Sequence, residues 1–367
     1  MVISMKQKKI CLFINSLQKG GAERVMVNLA KYFSEEGYQV VLVTQHRAKE
    51  EYPLVDGIPR IFSEITSEEE TSNRIVNFKR RYDKLRKIWK TEKPDVILSF
   101  IGKNNVMTLL TAAGLWIPVV VSVRADPKRE YASRSLKMAA NFTFPWAKKI
   151  VMQTTESKLF FRKAIQKKVV ILKNPLNPTF VRPIYEGERE KTIIAVGRVD
   201  QNKNHQMLVE AFAQIADQYP EYQLIIYGDG ESRSSIQEWV CNRKFEDRIF
   251  LPGAITNVAD EIARAGIYVL TSKSEGMPNS LMEAMALGIP CISTDCPCGG
   301  AKDLIEDGKN GILVSVGDVN DLASQLSKLI EEPEVAINLG RQASKLQDTH
   351  NPDVVNASWK ELIENVG

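Results

Sequence analysis

The chain has 367 residues, 44% of them apolar, which exceeds the size at which one hydrophobic core stops growing, so two domains are expected. It contains no run of about 18 uncharged apolar residues, which argues against a membrane-spanning helix. Its net charge is +4, and its five cysteines are odd in number and scattered. This cysteine usage indicates reduced thiols, and we expect a cytoplasmic protein.

The start of the chain carries a basic patch followed by a short apolar run. That run ends at Asn15 and Ser16 without a small-residue cleavage site. A first β-strand fits this pattern better than a secretion signal. Cys296 and Cys298 stand too close together, and too far from other ligands, to indicate a zinc site.

Charge divides the chain into two unlike halves. Residues 1–180 contain 32 Lys and Arg against 16 Asp and Glu, whereas residues 181–367 contain 17 against 29. A basic half indicates an anionic partner, which could be a phosphate-bearing ligand, a nucleic acid or an anionic bilayer surface. An ordinary solvated surface is the alternative interpretation.

Short β-branched apolar runs alternate with amphipathic stretches such as 22–37 and 73–93. The strands predicted in the first half are residues 9–14, 39–44, 95–100, 118–123 and 149–153. Those predicted in the second half are residues 191–197, 222–228, 248–253, 267–272, 290–295 and 311–316. Buried parallel strands that alternate with helices indicate two doubly wound α/β domains.

The domain boundary is expected in the proline-containing polar segment near 178–190. In open α/β sheets, ligands bind at the carboxyl ends of the strands, and two such domains facing each other form a cleft. The motifs that carry chemistry should therefore lie at those strand ends.

The first such motif is the pair Gly20 and Gly21, where the first strand leads into a helix. Paired glycines at a helix N-terminus let an anionic ligand approach bare backbone N–H groups. Glycine-rich turns also arise for packing reasons, and the spacing is not that of G-x-G-x-x-G. A phosphate or acceptor role and a packing role both stay open for this motif.

The second motif places Arg198 and Lys203 in one loop, just ahead of a predicted helix. A forked guanidinium and a compact ammonium five residues apart suit a diphosphate. Solvated loop cations are the alternative. We favour the functional interpretation because these two cations stand out in an acidic half.

The third motif follows the strand at 267–272 and contains Glu275 in a loop. Pro278 is expected at the first helical position, with free N–H groups at Asn279 and Ser280. Glu283 then lies about one turn into the helix. Carboxylates accept hydrogen bonds from vicinal hydroxyls, as when an acidic residue holds ribose. Two helix-capping acids, stabilised by the helix dipole, are the alternative interpretation.

These motifs, in this order and spacing, are GRVDQNKNH, YGDGE, LPGAITN and SEGMPNSLMEAMALGIPCIST. They resemble the C-terminal half of the family 4 retaining glycosyltransferases, which have the GT-B fold, and Glu275 with Glu283 matches the E-x7-E signature of that family. GGAERVMVNLA and SVRADP at 122–127 resemble its N-terminal half, particularly in bacterial enzymes that build surface polysaccharides and lipid-linked oligosaccharides. The resemblance implies two Rossmann-like domains with a cleft between them.

The resemblance also implies roles for individual residues. Arg198 and Lys203 would bind the donor diphosphate and assist its departure, Glu283 would hold the ribose, and Glu275 would contact the transferred sugar. The catalytic residues implied are Glu275, Arg198, Lys203 and Asp126. The donor-binding residues implied are Gly20, Gly21, Arg198, Lys203, Gly228, Ile255, Glu275, Gly276, Met277, Pro278, Asn279, Ser280 and Glu283.

The sequence departs from many relatives near the sugar site. They carry a histidine after the fourth N-terminal strand, whereas the histidines here are His46, His205 and His350. Arg124 stands at the comparable place, and Asp126 follows it. We assign Arg124 to the acceptor phosphate or sugar and name Asp126 as a candidate base. Front-face attack assisted by the leaving phosphate is expected, with no covalent residue and no metal.

Two basic stretches of the first half carry apolar and aromatic residues. The helix predicted at 73–93 places the following at helical spacing: Ile75, Phe78, Tyr82, Leu85 and Trp89. The stretch 127–149 adds Phe142, Phe144 and Trp146. Such surfaces suit an anionic leaflet, although each aromatic side chain could equally belong to the core. Charge and family together favour a polyprenyl-diphosphate glycan acceptor and a peripheral position at the inner face of the cell membrane.

We therefore predict a retaining, metal-independent glycosyltransferase without a cofactor. It would move a hexosyl or N-acetylhexosaminyl unit from a nucleotide sugar, expected to be UDP-linked, to a glycan acceptor and form an α-glycosidic bond. Residues 1–180, with a final helix over about 352–367 that crosses back, would bind the acceptor, and residues 181–351 would bind the donor.

Two other function classes stay open. A GT-B-like sugar-nucleotide epimerase would use the same sheets but would need additional acid and base residues. A basic nucleic-acid-binding protein would explain the charge of the first half, but it would not need Glu275, Glu283 and the phosphate loop. We therefore expect no nucleic-acid partner.

Overall fold

A computed structural model describes residues 7–18 and 20–366, so part of the basic N-terminal patch and the last residue of the predicted final helix lie outside it. The chain divides into two compact units. Unit 1 comprises Met1–Lys173 and Val355–Gly367, and unit 2 comprises Asn174–Val354. Each unit has its own parallel sheet and its own hydrophobic core.

The strands of both units are short and buried, as expected for parallel sheets covered by helices on both faces. Unit 1 contains β1 (Lys9–Ile14), β2 (Gln39–Thr44), β3 (Arg60–Phe62), β4 (Val96–Phe100), β5 (Val119–Ser122), β6 (Lys149–Met152) and β7 (Val169–Ile171). Unit 2 contains β8 (Thr192–Val196), β9 (Gln223–Tyr227), β10 (Ile249–Gly253), β11 (Ile267–Leu270), β12 (Cys291–Thr294) and β13 (Ile312–Val314).

The helices surround these sheets. Those between the strands of unit 1 are α1 (Gly21–Glu35), α2 (Arg74–Glu92), α3 (Gly102–Ala112), α4 (Pro127–Glu130), α5 (Arg134–Thr143), α6 (Thr155–Lys158) and α7 (Lys163–Gln166). The later ones are α8 (His205–Ile215), α9 (Arg233–Asn242), α10 (Val258–Ile262), α11 (Asn279–Ala286), α12 (Val319–Glu331), α13 (Pro333–Ala343), α14 (Leu346–His350) and α15 (Pro352–Glu364). Within the described ranges, no helix is both long and apolar enough to cross a membrane.

Both sheets are doubly wound, as the sequence predicted. The strand order is β3-β2-β1-β4-β5-β6-β7 in unit 1 and β10-β9-β8-β11-β12-β13 in unit 2, and every pairing between these strands is parallel. The order reverses between β8 and β11, which opens a crevice at the carboxyl ends of these strands. The sequence did not predict β3 and β7, because these three-residue edge strands are only partly buried.

The final helix α15 belongs to unit 1. Its side chains Val355, Trp359 and Ile363 are buried in the core of that unit, and the Trp359 ring lies 5.8 Å from the Phe100 ring. At the surface, Lys360 Nζ lies 2.6 Å from a carboxylate oxygen of Glu36. The helix therefore packs on one face of the sheet of unit 1.

The chain passes from unit 1 to unit 2 slightly earlier than residue 180, the predicted end of the first domain. The first unit ends at Lys173. Leu176 and Phe180 are buried in a core cluster of unit 2, which draws the segment that contains them into that unit.

The apolar and aromatic residues for which the sequence left a membrane surface and a core position open differ in burial: Ile75 is exposed and Tyr82 is half-buried. Three apolar side chains are buried in the core: Leu85, Trp89 and Phe144. Three aromatic side chains are exposed: Phe78, Phe142 and Trp146. For Phe144 the core alternative holds, because its ring stacks on Phe161 inside unit 1.

Candidate active site

The candidate site lies at the carboxyl ends of β8 and β11, where the strand order of unit 2 reverses. Its central contact is an ion pair between Lys203 and Glu275, with 2.7 Å between Nζ and Oε1. The two side chains are 15% and 16% exposed, so the pair is largely shielded from solvent. The Ser272 hydroxyl also donates a hydrogen bond of 2.7 Å to Oε1 of Glu275. A cation and a hydroxyl therefore fix this carboxylate.

Hydrogen bonds between two loops hold Lys203 in place. The Asp200 carboxylate accepts from the backbone N–H groups of Asn202 and Lys203, at 3.0 and 2.9 Å. The side-chain amide of Asn202 donates to the Ser274 carbonyl at 2.9 Å, and the Thr271 hydroxyl donates to the Lys203 carbonyl at 2.9 Å. The loop after β8 and the loop after β11 are thus tied together beside the ion pair.

Arg198 extends from the end of β8 toward solvent. Its side chain is 78% exposed, and its guanidinium lies 3.3 Å from the Asp200 carboxylate. Together with Gly228 and Ile255 it lines an open cavity of about 320 Å³, whose wall also includes Tyr227. Three of the predicted donor-binding residues therefore surround one cavity.

Gly228 is required by close backbone contact. Its φ is +145°, and a Cβ at this position would lie 1.8 Å from the carbonyl oxygen of Gly197. Only glycine allows the ends of β8 and β9 to approach in this way. The cavity beside Arg198 depends on that approach.

Helix α11 points its N-terminus toward the loop that carries Glu275. The helix begins at Asn279, so Pro278 is the residue before it and not the first helical residue as predicted. The reason is the extended backbone of Pro278, with φ −76° and ψ 105°. No side chain caps this N-terminus, and the first backbone bond of the helix runs from Met282 to Pro278. The first-turn N–H groups therefore favour an anion.

Glu283 lies on α11 and is buried, with 9% exposure. Burial raises the pKa of the Tyr268 hydroxyl, and the charges of Glu275 and Glu283 raise it further. The Tyr268 hydroxyl donates to Ser280 Oγ at 2.8 Å. The carboxylates of Glu275 and Glu283 therefore both disfavour ionisation of Tyr268.

The loop from Gly276 to Met277 is packed tightly. Met277 is buried, and its sulfur accepts a hydrogen bond from the backbone N–H of Asn174 at 3.2 Å. A Cβ added to Gly300 would lie 1.5 Å from the Gly276 carbonyl oxygen. These contacts set the backbone path from Glu275 to α11.

In unit 1, Arg124 and Glu130 form a second polar cluster. The Arg124 guanidinium lies 4.8 Å from the centre of the Phe100 ring. The backbone N–H groups of Arg124 and Ala125 each donate to Oε2 of Glu130 at 3.0 Å. Burial lowers the pKa of Arg124 to about 10 and raises the pKa of Glu130 to about 7.

Asp126 and the glycine pair take up local roles in unit 1. The Asp126 carboxylate caps α4 by accepting from the Lys128 N–H at 2.9 Å. Gly20 and Gly21 form the N-terminus of α1, where a Cβ on Gly20 would lie 2.4 Å from a carboxylate oxygen of Glu23. Burial raises the pKa of this Glu23 carboxyl group, against the opposing charge of Arg124. The Glu23 carboxylate thus lies at the helix terminus that the sequence assigned to a phosphate.

Two family models match the chain. The one described as "Glycosyltransferase Family 4" matches residues 19–180, and the one described as "Glycosyl transferases group 1" matches residues 179–346. The chain belongs to the family 4 glycosyltransferases. It is therefore an enzyme, and its two parallel-sheet units are those of the GT-B fold.

Proteins of known name and structure resemble this glycosyltransferase over nearly its whole length. The GalNAc-α-(1→4)-GalNAc-α-(1→3)-diNAcBac-PP-undecaprenol α-1,4-N-acetyl-D-galactosaminyltransferase of Campylobacter jejuni is 26% identical, with 98% of this chain and 99% of the relative covered. A second enzyme of that organism, N-acetylgalactosamine-N,N'-diacetylbacillosaminyl-diphospho-undecaprenol 4-α-N-acetylgalactosaminyltransferase, is 24% identical over 89% and 92%. The crystal structure of Anabaena Alr3699/HepE in complex with UDP and glucose superposes with a TM-score of 0.81 at 17% identity, covering 98% and 100%.

The predicted site residues of this glycosyltransferase fall into both units. Unit 2 holds Arg198, Lys203, Gly228, Ile255 and the segment 275–283. Unit 1 holds the others: Gly20, Gly21, Arg124 and Asp126. The Asp126 carboxylate caps α4, and its catalytic role stays a prediction, as does the phosphate role of the glycine pair.

Sequence reasoning missed several supporting residues of the glycosyltransferase. Asp200, Asn202 and Ser272 hold the ion pair, and Glu130 holds the backbone at Arg124. One signal was available, because Asp followed two residues later by Asn in a loop is typical of a side chain that bonds its own backbone. Nothing in the sequence near Glu130 marks its partners.

Glu130 predicts a pH dependence of stability. Its buried carboxyl group has a pKa raised from 4.5 to about 7, so the stability that its protonated form contributes is present below pH 4.5 and is lost as pH rises to about 7. We expect Glu130→Gln to flatten the change of the thermal midpoint between these pH values. The exposed control Glu68→Gln should leave the pH profile unchanged, and a wild-type profile for Glu130→Gln would contradict the prediction.

Proposed function

We propose that this glycosyltransferase moves a hexosyl or N-acetylhexosaminyl unit from a UDP-sugar to a glycan acceptor with retention of configuration. The observation that carries the proposal is the Lys203–Glu275 pair, 2.7 Å apart, at the carboxyl ends of β8 and β11. A cation for phosphate and a carboxylate for sugar hydroxyls stand next to each other there. A nucleotide sugar needs the cation and the carboxylate to be no farther apart than the length of one hexose diphosphate.

The donor would occupy unit 2 as follows. The cavity of about 320 Å³ beside Arg198, Gly228 and Ile255 suits the nucleoside. Lys203 and the first-turn N–H groups of α11 would neutralise the diphosphate, and Glu283 would hold the ribose. The carboxylate of Glu275 would exchange its bond to Lys203 for bonds to hydroxyls of the sugar. The solved Anabaena protein, whose structure contains UDP and glucose, supports this class of donor.

The chemical step would be a front-face displacement. An acceptor oxygen bonds to the anomeric carbon as the bond from that carbon to the UDP oxygen breaks. The acceptor hydroxyl proton passes to the departing phosphate. Arg198 and Lys203 stabilise the negative charge that develops on UDP. A new α-glycosidic bond and free UDP result.

We propose that these cations, and not a bound metal, neutralise the leaving group. Over residues 7–18 and 20–366, no three or more His, Cys, Asp or Glu side chains cluster in a way that could hold a metal ion. If Arg198 and Lys203 carry this charge, chelator should leave the rate of transfer unchanged. We also propose that transfer needs no cofactor, because the donor itself supplies the reacting sugar.

The acceptor would be a lipid-linked glycan that binds to unit 1. Residues 1–180 have twice as many basic as acidic residues, 32 against 16, which suits a diphosphate-linked acceptor. The names of both Campylobacter relatives specify undecaprenol-diphosphate-linked acceptors. We propose Arg124 as a contact to the acceptor and a peripheral position of the enzyme at the inner face of the cell membrane.

A nucleotide-sugar screen tests the donor assignment. UDP-linked glucose, galactose and their N-acetylamino forms would be compared with GDP- and ADP-sugars by thermal unfolding. A donor at 100 times its dissociation constant should stabilise the enzyme by about 2.7 kcal/mol. The anomeric configuration of the product, determined by NMR with the donor and a diphosphate-linked acceptor, then tests retention.

Two outcomes would contradict the proposal. Release of an epimerised nucleotide sugar from donor alone would indicate an epimerase. Binding of duplex or single-stranded nucleic acid that falls steeply with salt, without stabilisation by any nucleotide sugar, would indicate a nucleic-acid-binding protein.

A further inference from the structure

Unit 1 exposes four large apolar side chains on one side. Trp116 is 97% exposed, Met138 is 72%, Phe142 is 65% and Trp146 is 46%. The rings of Phe142 and Trp146 contact each other, with centroids 5.0 Å apart, and Met138 lies one turn before Phe142 on α5. We call these four residues the aromatic surface.

A groove runs between the two tryptophans of the aromatic surface. It has a volume of about 350 Å³ and lies between the end of α3 and the short 3₁₀ helix Phe144–Trp146. Apolar residues dominate its walls, among them Leu109, Ile117 and Val119. The groove and the exposed rings form one continuous apolar region.

Trp116 has an unusual backbone conformation, and its side chain is exposed to solvent. Its φ is +58°, in the left-handed region where a bulky residue is a genuine outlier. Its side chain is almost fully exposed, so this conformation does not serve packing within unit 1. Backbone outliers of this kind cluster where a residue makes contact with a ligand or a partner.

Cations border the aromatic surface. The segments that form it, residues 101–123 and 131–155, contain five basic residues and no acidic residue. Lys148 and Lys149 come two and three residues after Trp146. Lys168 Nζ donates to the carbonyls of Pro145 and Ala147 at 2.5 and 2.8 Å. Burial lowers the pKa of Lys168, and the charges of Lys148 and Lys149 lower it further.

We propose that the aromatic surface docks on an anionic phospholipid bilayer. This inference rests on the proposed function, in which the acceptor is linked to a lipid. Tryptophan rings favour the headgroup level, whereas Phe142 and Met138 can enter the acyl boundary. Lysines at the border attract anionic headgroups. The charge of these segments is entirely positive, which favours a lipid surface of opposite charge over a second copy of the chain.

Vesicle co-sedimentation of the full-length enzyme tests the proposal. Vesicles of phosphatidylglycerol and phosphatidylcholine would be compared with pure phosphatidylcholine. Replacing both Trp116 and Trp146 by Ser should weaken binding to the anionic vesicles at least about tenfold, because both rings leave the interface. The matched control Ile337→Ser removes an exposed apolar side chain of unit 2 and should bind like the wild type.

A charge variant tests the lysine border. Lys148→Gln with Lys149→Gln should weaken binding to anionic vesicles about thirtyfold at low salt. Each lysine contributes about 1 kcal/mol near an anionic surface, and about 1.4 kcal/mol corresponds to a tenfold change in affinity. Binding to neutral vesicles should not change. Lys309→Gln with Lys345→Gln, two exposed lysines of unit 2, is the control.

Measuring stabilisation by a UDP-sugar in the same variants distinguishes a failure of this proposal from a failure of the proposed function. Variants that lose vesicle binding but keep donor stabilisation support the docking surface. Wild-type enzyme that fails to bind anionic vesicles, or binds neutral vesicles equally well, overturns it even if donor binding is intact. Loss of a dimer, and not of vesicle binding, in the tryptophan variant also overturns it, since the surface would then bind a second copy.

Discussion

Lys203→Ala is expected to lower kcat for sugar transfer by about 10²–10³-fold. Lys203 is the cation adjacent to Glu275, so it is placed to neutralise the diphosphate as the bond to the sugar breaks. In the absence of donor it neutralises Glu275 instead. Its removal therefore leaves a largely shielded carboxylate without a counter-charge, and the thermal midpoint should fall as well.

Glu275→Gln should lower kcat to a similar extent while disturbing the fold less. The glutamine oxygen can still accept from the Ser272 hydroxyl, but the amide carries no charge to accept strongly from sugar hydroxyls. Because Lys203 and Glu275 contact each other, the double variant should lose less than the product of the two single losses.

Initial rates of transfer with saturating acceptor measure both effects. Lys191→Ala is a matched control, because Lys191 forms an ion pair of 3.4 Å with Glu221 at the opposite, amino end of the same sheet. Its kcat should equal that of the wild type. Near-normal turnover by Lys203→Ala or Glu275→Gln would remove the site assignment.

The sequence predicted the fold where strands carry continuous apolar runs. β1 and β2 occupy the predicted residues, because each is buried along almost its whole length. β3 and β7 gave no such signal, since they pair on one side only and have three residues each. The position of α15 in unit 1 follows from Trp359 and its neighbours, a contact that no local pattern shows.

Residues of the candidate site were predictable where charged side chains lie in a loop directly after a strand. Arg198, Lys203 and Glu275 stand out because they are charged residues in loops that follow β8 and β11. Contacts between distant loops were not predictable in this way. The bond from Asn202 to the Ser274 carbonyl and the close approach of Gly300 to Gly276 join residues far apart in the chain. Trp116 was missed for another reason, because its exposure depends on a backbone outlier.

Gly228→Ala is expected to destabilise unit 2, because it combines a backbone clash with a positive φ. The new Cβ would lie 1.8 Å from the Gly197 carbonyl oxygen, so β8 and β9 would have to move apart. Overpacking of this kind costs about 1–3 kcal/mol, and a left-handed φ adds about 1–2 kcal/mol for an L-residue. We expect a total loss of about 2–5 kcal/mol and the loss of the cavity beside Arg198. Stabilisation by a UDP-sugar should disappear with it.

Gly308→Ala separates the two contributions to that loss. Gly308 has a φ of +72°, but no heavy atom lies within 4 Å of its Cβ position. This variant should therefore lose only the conformational part, about 1–2 kcal/mol, and keep its full response to the donor. Urea unfolding of both variants, with and without UDP-sugar, measures the difference. Equal losses in the two variants, or a donor response that survives in Gly228→Ala, would show that the contact between Gly228 and Gly197 does not shape the nucleotide cavity.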